Sequence, residues 1–95
     1  MKITWQQFGA WLQQVRKRRG LSQENLAELM RYHRIQIWRL EHGRSRPSIQ
    51  FLQLLQYKVA LTPDELHWRA TFEQMAAYHC EVIEQASVPA RGSIQ

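Results

Sequence analysis

The chain has 95 residues, the size of a single domain, and 44% of them are hydrophobic, which supplies one modest core and excludes overall disorder. Its 13 lysines and arginines outnumber its 8 aspartates and glutamates, for a formal charge of +5. No apolar run approaches the ~20 residues of a membrane span. The N-terminal residues lack the pattern of a signal peptide, and the single cysteine, Cys80, excludes an internal disulfide, so we expect a reducing, cytoplasmic compartment.

The charge is unevenly distributed. Residues 1–46 hold 10 basic and 3 acidic side chains, whereas residues 47–95 hold 3 basic and 5 acidic ones. A basic half joined to a slightly acidic half favours a polyanion-binding surface with a second element attached. The competing interpretation, a generally basic soluble domain, explains this charge distribution equally well when the charge is considered alone.

The predicted fold is all-α, with five helices. Helix 1 begins at Thr4, which has capping-box spacing to Gln7, and ends before Gly20, a residue suited to the left-handed position after a helix. Helix 2 opens at the N-cap Ser22 and cannot run far past Met30. The apolar residues of helix 1 recur at helical spacing and form one buried face: Phe8, Trp11, Leu12 and Val15.

Helix 3 is predicted from near His33 to before Gly43, with Ile37 and Leu40 facing inward. Two arginines on the outer face of such a short amphipathic helix indicate an anionic partner. The outer face of helix 3 carries Arg34, Ile35, Trp38 and Arg39.

Helix 4 is predicted to begin at the cap Ser48.

Helix 5 has the clearest start in the chain, with Thr62 as cap, Pro63 at the first helical position and Glu65 completing the capping box. The next helix breaker is Pro89, so the helix is predicted to run for about 24 residues. The domain organisation is therefore predicted as a basic domain over residues 1–66, a helical extension over 67–88 and a flexible tail over 89–95.

Helices 2 and 3, with a short connection and outward arginines on the second helix, match a helix-turn-helix. Residues 21–48 resemble the phage-repressor/Cro-type (XRE-like) helix-turn-helix family of bacterial DNA-binding proteins, and the resemblance extends from about Phe8 to Leu66. It implies a five-helix, lambda-repressor-like domain, here with an extended C-terminal helix. It is carried by Leu21-Ser22-Gln23, Leu26-Ala27, Ile37-x-x-Leu40-Glu41-x-Gly43, Pro47-Ser48 and Asp64-Glu65-Leu66.

The turn between helices 2 and 3 departs from the family pattern. Arg31 stands where glycine is usual, Tyr32 follows it, and His33 replaces the usual Ser or Thr cap. Because a non-glycine residue in a left-handed conformation costs ~1 kcal/mol, we expect a slightly altered turn.

The resemblance also implies a function, sequence-specific binding of double-stranded DNA, with residues 33–42 in the major groove. The chemistry of the residues agrees, because arginine can bind guanine O6 and N7 together and an apolar side chain can contact a thymine methyl. Arg16 and Glu41 match a structural ion pair of the family. The implied base contacts are Arg34, Ile35, Gln36 and Arg39, and the implied phosphate contacts are Gln23, Arg44, Ser45 and Arg46.

Other interpretations stay open at some of these positions. Arg34 and Arg39 also fit an ordinary solvated surface, and Trp38 fits either the core or the DNA-facing side. No metal or cofactor is predicted: His79 and Cys80 are adjacent on a helix, so their side chains point ~100° apart and cannot easily share one ion. No phosphate loop, carboxylate pair or nucleophile grouping indicates an enzyme.

Helix 5 carries more apolar side chains than a small domain needs, and we interpret the surplus as a homodimer interface. The competing interpretation is that helix 5 packs on its own domain. Two functions follow, a homodimeric transcriptional repressor or regulator, and an antitoxin-like module that binds a protein partner and regulates its own expression through DNA. The heptad-like seam consists of Trp68, Phe72, Met75, His79 and Val82.

Overall fold

The computed structural model describes residues 3–92, with side chains described for residues 3–77. Within this part of the chain the α-helix is the only regular secondary structure, which confirms the predicted all-α class. The helices are α1 (Trp5–Arg18), α2 (Gln23–Met30), α3 (Arg34–Glu41), α4 (Ile49–Lys58) and α5 (Pro63–Gly92). None of these helices is both long enough and apolar enough to cross a membrane.

The predicted helix starts are confirmed by hydrogen bonds at their caps. The Thr4 hydroxyl accepts from the Gln7 amide at 3.2 Å, and the Gln7 side-chain oxygen accepts from the Thr4 amide at 2.7 Å. Each contact gives a partner to an amide that has none within the helix. The same hydroxyl-to-amide contact begins α2, α4 and α5, at Ser22, Ser48 and Thr62.

The end of α5 differs from the prediction. The helix extends to Gly92 and passes through Pro89, where the sequence predicted it to stop and a flexible tail to begin. Proline removes one amide donor, but its fixed φ is itself helical, so a proline can interrupt the hydrogen bonding of a helix without ending it.

The hydrophobic core draws on all five helices. Every helix contributes at least one side chain that is less than 2% exposed, so no helix is merely appended to the others. The largest of these buried side chains are Phe8, Leu12, Leu26, Met30, Ile37, Phe51, Leu52, Leu55 and Phe72.

Phe72 corrects the predicted dimer seam. It is 1% exposed, and its ring packs edge-on against Phe8 at 5.2 Å and at a tilt against Trp11 at 5.4 Å between centroids. Assigning Phe72 to a dimer interface is therefore wrong, because α1 of the same chain already covers it. The core continues along α5 to Ala76, beyond Leu66, which the sequence took as the last residue of the domain.

An ion pair joins the end of α1 to the start of α5. Arg18 donates from Nε and Nη2 to the two carboxylate oxygens of Glu65, each at 2.7 Å, and from Nη2 to the Ala60 carbonyl at 2.9 Å. Glu65 also accepts from the Thr62 amide at 2.9 Å. The hydrogen bond from Arg18, ahead of the opposing effect of burial, holds the pKa of Glu65 below its usual value.

This pKa shift makes stability depend on pH. Because the folded state lowers the pKa of Glu65, its contribution is present above the ordinary carboxyl pKa and is lost as the pH falls through the folded value. We expect Glu65→Gln, which keeps an oxygen for the Thr62 amide, to unfold at a lower temperature than the wild type at about pH 7. Thermal unfolding from about pH 7 to pH 3 should show the difference shrinking.

Asp64→Asn is the matched control, since it removes a carboxylate from the same helical turn without touching the contact to Arg18. A gap between the wild type and Glu65→Gln that stays constant across this pH range would contradict the assigned role of the ion pair.

Candidate nucleic-acid interface

The turn between α2 and α3 adopts the left-handed conformation despite its arginine. Arg31 has φ 60° and ψ 44°, and its amide donates to the Glu28 carbonyl at 3.2 Å, while the Tyr32 amide donates to the Ala27 carbonyl at 2.8 Å. Tyr32 packs edge-on against Phe51 of α4 at 5.2 Å. The turn is thus tied to the core, and this packing compensates for the unfavourable conformation of Arg31.

The two faces of α3 are arranged as predicted. Ile37 and Leu40 are buried at 0% and 4% exposure, and they fix the helix against α1 and α2. Arg34 and Arg39 are exposed, and Ile35 is 49% exposed although it is apolar. The outer face therefore presents two cations around an uncovered aliphatic side chain.

A buried ion pair holds the end of α3. Arg16 donates from Nε to one carboxylate oxygen of Glu41 at 2.6 Å and from Nη2 to the other at 3.1 Å, and its Nη1 donates to the Leu21 carbonyl at 2.9 Å. The side chains are 9% and 1% exposed. The structure thus brings together the two residues that the resemblance pairs, and the contact joins α1, the start of α2 and α3.

Close helix packing accompanies this ion pair. Gly9 of α1 lies directly against the backbone of Glu41, and a Cβ added at Gly9 would overlap the Glu41 carbonyl. Only glycine allows α1 to approach α3 this closely, so the arginine and the carboxylate meet without intervening water.

Two side-chain contacts at the site were missed by the sequence analysis. The Gln36 side-chain oxygen accepts from the His33 amide at 2.8 Å and so caps α3, a contact that the three-residue spacing of the two positions would have indicated. The side chain of Gln23, the first residue of α2, donates to Glu41 at 3.0 Å, leaving one amide hydrogen for another acceptor. No sequence pattern indicates this second contact, which spans two helices.

Trp38 lies at the surface beside the loop that follows α3. Its half-buried ring stacks on His42 at 4.1 Å between centroids, and the guanidinium of Arg44 lies 5.8 Å from the ring centroid. The His42 Nδ1 lies 2.9 Å from the Trp38 carbonyl. Of the two interpretations, packing in the core is therefore wrong, and the ring supports the basic loop instead.

A cleft of about 270 Å³ separates α3 from that loop and the start of α4. Residues predicted to contact bases and residues predicted to contact phosphates meet there. Arg34 and Ile35 lie outside it, nearer the N-terminus of α3. The polar side chains lining the cleft are Tyr32, Gln36, Arg39, Ser45, Arg46 and Ser48.

Metal-binding groups do not gather in the described part of the chain. Among those residues, no three histidine, cysteine, aspartate or glutamate side chains lie close enough to hold one ion. His79 and Cys80 fall outside the described side chains.

Comparison with known proteins identifies the family. Residues 7–68 match the family described as "Helix-turn-helix domain", and this match covers more than half of the chain. The protein therefore belongs to the helix-turn-helix domain family, and the resemblance to the phage-repressor/Cro-type proteins is confirmed. This membership supports DNA binding and a role in transcription regulation. No curated protein and no solved structure gives a significant match.

The buried ion pair leads to a test of stability. Because truncating one partner leaves the other charge buried and unpaired, we expect Arg16→Ala and Glu41→Ala each to lower the free energy of unfolding by roughly 3–5 kcal/mol. The double variant should lose less than the sum of the two. Denaturant unfolding measures all three, with Lys17→Ala, an exposed neighbour on α1, expected to change stability by less than about 0.5 kcal/mol. Strictly additive losses would contradict the pairing.

Proposed function

We propose that this protein is a homodimeric, sequence-specific regulator of transcription, acting as a repressor, that reads the major groove of double-stranded DNA with residues 33–42. The observation that carries the proposal is the outer face of α3, where Arg34, Ile35 and Arg39 project from a helix whose inner face and C-terminal end are buried. A rigidly seated helix with exposed guanidinium groups fits the major groove in width and charge.

The neighbouring segments supply the contacts to the sugar-phosphate backbone. Arg44 and Arg46 are exposed on the loop after α3, next to Ser45. On the other side, Gln23 lies at the N-terminus of α2, where backbone amides and the helix dipole favour a phosphate. Backbone contacts on both sides of α3 would set its depth and angle in the groove.

Base contacts and phosphate contacts are distinguished by substitution. We expect Arg39→Ala to lose ~1–3 kcal/mol on the preferred site and to relax base preference at one position, because it removes a base-reading group. Arg44→Ala should weaken specific and non-specific duplexes alike and lower the salt slope by about one, because it removes a phosphate contact. Binding titrations at several salt concentrations separate the two effects.

Lys58→Ala is the matched control, because it removes one exposed positive charge from the far end of α4. It should leave base preference unchanged. If Arg39→Ala behaved like Lys58→Ala in both affinity and preference, the face assigned to base reading would be wrong.

The proposed dimer rests on the part of α5 that stays uncovered. Trp68 is 42% exposed and stacks on Phe72 at 5.8 Å, beside a cleft of about 270 Å³ between α1 and α5. The indole N–H of Trp11 at this cleft is buried and has no acceptor among the described residues. Met75 is half-buried against the chain's own core. The other two residues of the predicted seam, His79 and Val82, lie outside the described side chains.

A two-fold dimer would place two copies of α3 about one DNA turn, ~34 Å, apart on a pseudo-palindromic site. Such an arrangement strengthens operator binding because two linked half-sites bind far more tightly than one.

The dimer is tested at Trp68. We expect Trp68→Glu to convert a dimer into a monomer at about 10 µM in sedimentation, because a charge replaces apolar area removed from water on association. The monomer should still bind one half-site weakly and lose the gain from joining two. Tyr57→Glu, at an 89% exposed position on α4, is the control and should stay dimeric.

Circular dichroism establishes whether each variant remains folded, and Trp68→Ala serves in place of Trp68→Glu if the charge unfolds the chain. A wild-type monomer at about 10 µM would contradict the homodimer. A monomer with the α1–α5 cleft free would favour the antitoxin-like module instead.

A further inference from the structure

The turn between α2 and α3 holds an arginine in a backbone conformation that arginine disfavours. Arg31 has φ 60° and ψ 44°, the left-handed region, where the Cβ of a side chain crowds the following carbonyl oxygen. In the described part of the chain it is the only residue other than glycine with a positive φ. Because glycine adopts this conformation without that crowding, a glycine at position 31 would make the fold more stable.

The side chain of Arg31 makes no polar contact within the fold that would offset this cost. It is exposed, and none of the three ion pairs among the described side chains includes it. Glu28 lies one helical turn earlier on α2, but Arg31 reaches it only through its backbone amide, which donates to the Glu28 carbonyl at 3.2 Å. The turn is fixed by its neighbour Tyr32, whose ring packs against Phe51 at 5.2 Å. Packing therefore explains why the turn holds its shape, and it does not explain the guanidinium.

Arg31 lies beside the face of α3 that is proposed to read bases. Arg34 follows three positions later, so the two Cα atoms are at most about 11 Å apart. The major groove is about 12 Å wide and is bounded on both sides by phosphates. A chain that leaves the groove at the start of α3 therefore passes one of these phosphate walls at the turn. Tyr32 packs inward there, whereas Arg31 and His33 on either side of it are exposed.

We propose that Arg31 binds the phosphate backbone of DNA at the edge of the groove that α3 enters, and that the turn keeps its strained arginine for this contact. The proposal rests on the proposed function and adds a residue to the same interface. The family resemblance implies no such contact, because its pattern has glycine at this position. A guanidinium can donate two parallel hydrogen bonds to a phosphate, whatever the base sequence. Arg31 thus adds affinity for DNA and lowers the stability of the fold.

Three substitutions separate the charge of residue 31 from its backbone conformation. Arg31→Gly removes the charge and the strain, Arg31→Ala removes the charge and keeps the strain, and Arg31→Lys keeps both. The melting temperature of each full-length variant is measured without DNA. Binding is titrated at several salt concentrations on two duplexes, one selected from a random pool by the wild type and one of unselected sequence.

Stability and affinity should move in opposite directions in Arg31→Gly. We expect this variant to melt roughly 2–6 °C above the wild type. At about 0.1 M salt it should bind both duplexes at least about threefold more weakly, with a salt slope lower by about one for each bound subunit. Arg31→Ala should show the same weaker binding without the gain in melting temperature, and Arg31→Lys should bind within about twofold of the wild type. A variant that is more stable than the wild type does not lose binding by unfolding.

Lys58→Ala is the matched control for net charge, since it removes one exposed cation far from the turn, and it should bind within about twofold of the wild type. Affinities and salt slopes that are unchanged in Arg31→Gly and Arg31→Ala would overturn the phosphate contact and leave DNA binding established. A change of base preference at one position would also overturn it, because phosphates carry no sequence. Melting of Arg31→Gly below the wild type would overturn the assigned strain.

Failure of the proposed function gives a different result. A random pool without enrichment overturns sequence-specific binding, and the duplex of unselected sequence then still decides whether Arg31 contacts phosphate. A wild type that binds neither duplex overturns the proposed function and the contact of Arg31 together.

Discussion

Glu41 is the acceptor on which the geometry of the candidate interface depends. Its carboxylate receives two hydrogen bonds from Arg16 of α1 and one from Gln23 of α2, and it ends α3 itself. Three helices that are separate in sequence thus share one buried anion. Separating α1 from α3 would leave a buried charge without its partner, which is among the most unfavourable changes a small domain can undergo.

A buried ion pair is a poor source of net stability, because desolvation offsets most of its attraction. Its role here is to fix the orientation of α3 relative to α1. Apolar contacts such as Ile37 against the core tolerate small rotations of α3, whereas a two-point guanidinium–carboxylate contact has a fixed plane. The same contact places Gln23 beside the end of α3, so the N-terminus of α2 and the base-reading helix keep one relative position. This arrangement requires glycine at position 9, because a Cβ there would overlap the Glu41 carbonyl.

Helix α5 is part of the folded domain and not only an extension of it. Phe72 packs against Phe8 and Trp11 of α1, and the contact of Arg18 with Glu65 joins the first turn of α5 to the end of α1. Two arginines in the last turn of α1, Arg16 and Arg18, therefore have structural roles. The positive surface for a polyanion is correspondingly concentrated on α3 and the loop after it, where Arg34, Arg39, Arg44 and Arg46 are exposed.

Most of the helical framework could be predicted from the sequence, because it depends on interactions between residues close together in the chain. The starts at Thr4, Ser22, Ser48 and Thr62, and the inward position of Ile37 and Leu40, depend on residues within one or two turns, so spacing alone predicts them. The family motif, with Leu40, Glu41 and Gly43 at its end, likewise indicated the helix-turn-helix. The proposed base and phosphate contacts follow from that motif and from exposure, and DNA binding experiments decide them.

Only the tertiary structure decided which partner each side chain meets. Heptad-like spacing looks the same whether a helix packs on its own chain or on a second copy, and Phe72 was misassigned because nothing local reveals that Phe8 and Trp11 lie opposite it. The stack of Trp38 on His42, the ion pair of Arg18 with Glu65 and the contact of Gln23 with Glu41 are likewise not indicated by periodicity. The sequence by itself determined where the helices begin and which faces are apolar, because these are short-range properties. The tertiary structure determined which polar atoms remain free, because that depends on every neighbour brought together by folding.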